Sequence, residues 1–208
     1  MSETGAVKFN CEHVRVALEK FAGFDELTGC RRELLARGWI GVDENGIGFG
    51  NLSVREGDTA RFFITSSGTA AKRELTPADH AHVADFDFQR NWLRCEGLGV
   101  ASSESLTHAA VYKSRVHARA VIHIHDLALW TRSTHAIAAT SADVEYGTCE
   151  MAREICRLLV EATPANLRVF RMAGHRGGLI AFGATPRDAL QALIELNQRL
   201  RDFSATAQ

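Results

Sequence analysis

The chain has 208 residues, of which 46% are hydrophobic and 24% are charged, and its formal net charge is −1. This length and balance fit one globular domain with a sizeable core. Acidic and basic residues nearly cancel and no nucleic-acid-binding signature is present, so the composition argues against nucleic acid as the main ligand.

The N-terminus and the cysteines predict a cytoplasmic protein with reduced thiols. Glu3 stands where a secretory signal carries basic residues, and no apolar stretch approaches the roughly 18 residues of a membrane span. The five cysteines are odd in number, scattered and without a C-x-x-C spacing. This pattern argues against a disulfide framework or a thiolate zinc site, and we expect no membrane partner.

The first quarter of the chain predicts helices followed by short strands. Apolar residues at helical spacing predict helices over 7–22 and 25–37, with Asp25 as the N-cap of the second and Gly38 as its stop. Glycine-rich residues 42–50 predict a loop, and alternation predicts strands over 51–55 and 61–65. We expect one domain over 1–208, with an N-terminal extension helix within 1–24.

The remaining elements alternate between the two periodicities. Pro77 predicts a short helical turn, and one or two strands follow over 83–93. Helices are predicted over 102–115, 127–133, 148–162 and 186–203, strands over 120–125, 167–172 and 178–182, and a loop or strand over 138–146. Neither dinucleotide-binding nor P-loop glycine motifs occur. The pattern predicts an α/β fold, a sheet with flanking helices.

A His-x-His pair in the strand over 120–125 is the strongest functional signal. His123 and His125 alternate with apolar residues, so both imidazoles leave the strand on the same face and can chelate one cation. His175, framed by glycines on a turn between two strands, is the candidate for a third ligand. Histidine and carboxylate donors suit zinc, and a catalytic site keeps one position open.

Other histidines allow weaker interpretations. His80 and His82 share the same spacing, but they fall in a predicted helix-to-strand transition where the side chains need not share a face. His108 lies one helical turn after Glu104, so it either orients that carboxylate or packs in the core.

Small polar residues predict an anion site that uses no lysine. Backbone N–H groups of a glycine-containing turn, hydroxyls and a helix N-terminus together bind phosphate. The residues that fit this description are Asn51, Ser67, Gly68, Ser102 and Ser103.

Five motifs, taken in chain order, resemble those of the class II aldolase/adducin family, and the resemblance covers about residues 25–203. The motifs are Gly50-Asn51-Leu52-Ser53-Val54-Arg55, Ile64-Thr65-Ser66-Ser67-Gly68, Ser102-Ser103-Glu104, His123-Ile124-His125 and a late His-Gly turn. The resemblance implies a three-layer fold with a central, mainly antiparallel sheet flanked by helices. It also implies a ring-like homotetramer with active sites between subunits.

The resemblance further implies roles for individual residues. His123 and His125 match the metal ligands of the family's strand, and Glu104 matches its acid/base carboxylate and completes the expected metal set with His175. The five residues of the anion site match its phosphate-binding positions. Asp143, within 140–148, matches a catalytic aspartate of the related 4-epimerase, although Glu104 stands where that epimerase has aspartate.

Three departures from the family pattern mark this chain. His175 lies two residues before Gly177, where the third ligand usually precedes Gly-Leu-Ile. Ser66 replaces a common proline in the phosphate turn, and no tyrosine lies in the C-terminal tail, since only Tyr112 and Tyr146 occur.

The sequence thus predicts a metal-dependent aldolase. It would cleave or form a C–C bond in a small phosphorylated keto-sugar through an enediolate stabilised by one divalent ion per chain, zinc by preference, with manganese or cobalt as alternatives. A 4-epimerase or dehydratase on the same scaffold is the alternative reaction. An adducin-like interaction module without catalysis is the alternative from a different class.

Overall fold

The computed structural model describes residues 8–161 and 167–206. The strands are β1 (Asn10–Arg15), β2 (Gly41–Val42), β3 (Gly48–Phe49), β4 (Asn51–Arg55), β5 (Phe62–Thr65), β6 (His80–Asp87), β7 (Trp92–Gly97), β8 (Ala120–His125), β9 (Val169–Arg171) and β10 (Gly178–Gly183). The helices are α1 (Phe24–Ala36), α2 (Ser105–Ser114), α3 (Leu127–Arg132), α4 (Cys149–Glu161) and α5 (Pro186–Thr206), with a short 3-10 helix at Pro77–Asp79.

Eight strands form one sheet in the order β1-β7-β6-β5-β4-β8-β10-β9, and β2 and β3 form a separate hairpin. Every neighbouring pair in the large sheet is antiparallel except β1 and β7. The prediction of a mainly antiparallel central sheet is therefore confirmed. In the middle of the sheet, β4 and β10 flank β8, so Asn51 and Ile180 lie opposite His123.

Helices cover both faces of the sheet and give two cores. On one face, α2 and α4 bury Tyr112 and Ile155 against strand residues such as Val121. On the other face, α1, α3 and α5 bury Leu27, Leu129 and Leu190. Each strand in the middle of the sheet points apolar side chains alternately to its two faces and so supplies both cores. The chain therefore has the predicted three layers, with the sheet between two layers of helices.

The predicted N-terminal helix over 7–22 is wrong for the residues that the structure describes. Residues 10–15 form β1, an edge strand parallel to β7, and residues 1–7 lie outside the described part. The side chains of Phe9, Cys11 and His13 point inward with the period of two that is typical of a strand. The helical spacing that predicted a helix over 7–22 comes mainly from apolar residues that follow these positions. The hydrogen-bonding partner is a strand about 80 residues away, so local spacing could not reveal it.

The beginnings of two helices and the structure of one loop differ from the sequence prediction. Gly23, in the left-handed conformation (φ +85°), is the N-cap of α1, so Asp25 lies in its first turn instead of capping it. Helix α2 begins at Ser105 with Glu104 as its N-cap. The loop predicted over 42–50 contains the β2–β3 hairpin. Within residues 8–161 and 167–206, no helix combines the length and the apolarity that crossing a membrane requires.

Candidate active site

Strand β8 carries two histidines toward the helix layer of α2 and α4. Ile122 and Ile124 point into the opposite core, so the alternation places His123 and His125 on the same face as Val121. The two ring centroids are 4.8 Å apart. His123 is buried, with only 1% of its surface exposed, and His125 is partly buried at the end of the strand. The strand thus brings two imidazoles together at one end of the sheet.

A turn before β10 brings His175 to the same place. The His175 ring centroid lies 5.1 Å from that of His123 and 4.5 Å from that of His125. One ligand nitrogen from each of the three rings lies within 4.8 Å of the others. A Cβ at position 178 would approach His175 Cγ to 3.1 Å and His123 Nε2 to 3.3 Å, so Gly178 leaves these two rings room to approach each other. The two-residue offset of His175 therefore does not keep it from the pair.

The three imidazoles have the properties of a metal-binding donor set. Burial lowers the pKa of the His123, His125 and His175 rings, so they are neutral and carry free lone pairs. Both nitrogens of His123 and Nδ1 of His175 are buried without a hydrogen-bond partner in the described chain. Leaving such a group unsatisfied costs about 1–3 kcal/mol. A divalent transition ion fits as the missing partner.

Glu104 lies beside this cluster at the start of α2. Its side chain is buried, and Oε2 accepts a hydrogen bond from the Thr107 hydroxyl at 2.5 Å. The other oxygen, Oε1, has no hydrogen-bond partner among the described residues and lies 3.6 Å from His175 Nδ1. Burial raises the pKa of the carboxyl to about 7. A carboxylate with one fixed and one free oxygen can exchange a proton with a bound molecule.

His108 does not orient Glu104. Its Nδ1 lies 2.7 Å from the Ser53 hydroxyl, which also contacts the Tyr112 hydroxyl at 2.7 Å. Burial lowers the pKa of the His108 ring to about 3, so the ring is neutral. Of the two interpretations that the sequence left open, the structure therefore supports packing in the core, and Thr107 supplies the hydrogen bond to Glu104.

A cavity of about 450 Å³ opens above the histidines. All five residues of the predicted anion site line it: Asn51, Ser67, Gly68, Ser102 and Ser103. Within it, Ser66 Oγ and Asn51 Oδ1 are buried and have no partner in the described chain. The Ser67 backbone N–H is occupied by the Val100 carbonyl, so a ligand at Ser67 meets its hydroxyl. The cavity joins a polar, neutral turn to the histidine cluster and Glu104.

Comparisons with known proteins agree with this architecture. Residues 25–202 match the family model described as Class II Aldolase and Adducin N-terminal domain. The chain belongs to this family.

One relative shows how similar in sequence this chain is to a named protein. The chain is 38% identical over 133 residues to a Nocardia farcinica (strain IFM 10152) protein named "Probable bifunctional methylthioribose-1-phosphate isomerase/methylthioribulose-1-phosphate dehydratase". That match covers 64% of this chain, and the chain spans only about a fifth (21%) of the relative.

Solved structures share the fold at low identity. An L-fuculose 1-phosphate aldolase superposes with a TM-score of 0.68 at 20% identity, covering 91% of this chain and 88% of that one. A sugar-phosphate aldolase from Thermotoga maritima gives a TM-score of 0.63 at 15% identity, covering 88% and 93%. These likenesses confirm the class II aldolase fold.

Asp143 and the second histidine pair, His80 and His82, lie outside the site of this class II aldolase domain. Asp143 is exposed and is not among the residues that line the cavity, so its catalytic role stays a prediction. His80 and His82 do share a face, because β6 begins at His80, but that face is opposite to the cluster. His80 Nδ1 contacts the Thr76 carbonyl, and His82 Nε2 lies 3.3 Å from Glu56.

Two side chains beside the class II aldolase cluster were not predicted from the sequence. The Tyr146 ring stacks on His175 with centroids 4.0 Å apart, and Lys8 Nζ lies 3.7 Å from the centre of the Tyr146 ring. Lys8 also forms an ion pair with Glu145 at 2.7 Å. Lys8, which lies just before β1, thereby holds Tyr146 against a candidate ligand. Local pattern carries no signal for this contact, since it joins residues more than 130 positions apart.

Proposed function

We propose that this chain is a metal-dependent lyase that cleaves or forms a C–C bond in a small phosphorylated keto-sugar. The observation that carries the proposal is the buried Glu104 carboxylate, whose unpartnered Oε1 lies 3.6 Å from His175 within the three-histidine cluster. A non-catalytic adducin-like module has no need for a buried acid and three unpaired imidazoles in one cavity, because such groups destabilise the fold.

His123, His125 and His175 would hold one divalent ion, with zinc preferred for an all-imidazole set. When bound, the ion supplies Lewis acidity toward a carbonyl oxygen. Glu104 transfers the proton at the reacting carbon, and its bond from Thr107 fixes the direction of the free oxygen. Asn51, Ser67, Gly68, Ser102 and Ser103 bind the phosphate and set the distance of the carbonyl from Glu104.

Dehydration is the second candidate, and a specific relative favours it. The Nocardia protein that is 38% identical carries a sugar-phosphate dehydratase activity in its name. In this reaction Glu104 takes the proton from the carbon beside the carbonyl and returns it to the hydroxyl of the next carbon, which leaves as water. Both reactions use one acid/base group. Epimerisation calls for a second one, and Asp143 lies outside the cavity of the described chain.

Assembly and location extend the same proposal. We expect a cytoplasmic homotetramer whose active sites lie between subunits, as the family resemblance implies. Light scattering of the purified protein tests this expectation, and a fully active monomer would contradict it.

One screen separates these reactions. Protein loaded with zinc, manganese or cobalt is incubated with a panel of phosphorylated ketoses, and each mixture is assayed both for released aldehyde and for loss of one water by mass spectrometry. Aldehyde release supports the aldolase and water loss supports the dehydratase. The dephosphorylated ketoses serve as controls and should react much more slowly. If no phosphorylated ketose reacts with any of the three metals, the proposal is wrong.

A further inference from the structure

Among the described residues that line the active-site cavity, Arg176 is the only lysine or arginine. It is exposed and immediately follows His175, and no hydrogen bond or ion pair of its guanidinium is found within residues 8–161 and 167–206. The two carboxylates of the lining are Glu104 and Asp43. Asp43 accepts hydrogen bonds from the backbone of its own turn, at Asn45 and Ile47. Of the described lining residues, Arg176 is therefore the cation that a ligand can pair with.

The backbone of Arg176 is held in place. The Gly178 N–H donates to the His175 carbonyl at 2.9 Å and closes a β-turn in which Arg176 and Gly177 are the central residues. Gly177 has φ +84°, the conformation that the third position of a type II turn requires. The Gly177 carbonyl accepts a bond from the Asp126 N–H at 3.0 Å. The turn thus presents the Arg176 side chain from a fixed point beside a candidate metal ligand.

Arg176 and the neutral anion turn lie on opposite sides of the histidines. The turn at Ser67 follows β5, and the turn at Arg176 precedes β10. In the sheet, β4 and β8 separate these two strands, so the turns are three strand spacings apart, about 14 Å. The cavity can therefore bind two anionic groups, one at each end, with His123 and His125 between them.

We propose that Arg176 binds a carboxylate at the end of the substrate opposite its phosphate. The substrate class is then a phosphorylated keto-sugar acid instead of a keto-sugar with an uncharged end. This inference rests on the proposed function, in which the neutral donors bind the phosphate. A guanidinium suits the new role because its planar fork pairs with both oxygens of a carboxylate.

Matched ligands test the assignment by calorimetry on the metal-loaded protein. The probes are the aldonic acid phosphates of four and five carbons, each compared with the polyol phosphate that differs only in carrying CH₂OH in place of the carboxylate. Charge-assisted hydrogen bonds should make the acids bind roughly 10- to 100-fold more tightly. Arg176→Gln should remove this preference, and Arg176→Lys should retain part of it.

Arg61→Gln is the matched control, because it removes the same charge from a residue outside the cavity, and it should leave the preference unchanged. Melting temperature and metal content of each variant are measured in parallel.

The inference is overturned if wild-type protein binds acid and polyol phosphates equally. It is also overturned if Arg176→Gln weakens both ligands by the same factor, since Arg176 would then bind the phosphate. A failure of the proposed function looks different. In that case the phosphate-free aldonic acids bind as well as the phosphorylated ones, whatever the effect of Arg176.

Discussion

The substitution Glu104→Gln tests the proposed chemistry with little change in shape. Glutamine keeps the volume of the side chain, which is only 2% exposed, and its carbonyl oxygen can still accept the Thr107 hydrogen bond. The variant loses only the ability to take up and return a proton. A single acid/base group contributes roughly 10²- to 10⁴-fold to the rate. This range corresponds to about 3–5 kcal/mol in activation free energy.

The metal should stay bound in this variant, because three histidines remain. We therefore expect kcat to fall by a factor within that range while elemental analysis still finds about one ion per chain. KM should change by less than kcat, since the substitution leaves in place the side chains proposed to bind the phosphate. The assay is steady-state turnover of the phosphorylated ketose that the screen identifies, with the metal content of the same samples measured in parallel.

Asp143→Asn is the matched control. Asp143 is an exposed carboxylate outside the cavity, and its substitution should leave kcat within about threefold of wild type. A Glu104→Gln enzyme that works nearly as well as wild type would refute the assigned role. An Asp143→Asn enzyme that loses most of its turnover would favour epimerisation, which needs a second acid/base group.

Three further predictions concern the metal, the turn and the pH dependence of stability. Replacing His123 and His125 by alanine should lower the metal content of purified protein from about one ion per chain to near zero, and elemental analysis that finds equal content in both proteins would contradict the ligand assignment. Gly174→Ala should destabilise the fold and weaken metal retention, because the new Cβ would lie 2.0 Å from the Val144 carbonyl oxygen. Gly29→Ala, where nothing lies within 4 Å, should instead add up to about 1 kcal/mol, and equal melting temperatures of the two variants would refute this reasoning. Burial lowers the pKa of His80 from 6.5 to about 4. Its contribution to stability is therefore complete above pH 6.5 and is lost as the pH falls toward 4, about 2 kcal/mol by pH 5. Urea unfolding should show that His80→Phe loses less stability than wild type between pH 7 and pH 5. Equal losses in the two proteins would contradict the assignment of this pH dependence to His80.

Local periodicity along the chain was enough to predict several elements and one pair of site residues. Alternation along β8 put His123 and His125 on one face, because successive side chains of a strand point to opposite sides of the sheet. The apolar stripes of α4 and α5 predicted both helices within a few residues of their observed ends. The order of motifs gave the three-layer class II aldolase fold.

Other features depend on contacts between residues that are far apart in the chain, and local patterns do not predict them. β1 is a strand because β7 offers it a sheet edge, and no local pattern reports that edge. His175 reaches the histidine pair because the backbone hydrogen bonds of its turn and the small Gly178 allow the approach. The contact of Lys8 with Tyr146 joins residues 138 positions apart in the sequence. Such contacts form because burial of side chains and satisfied hydrogen bonds stabilise the folded chain by more than the local propensities of its residues.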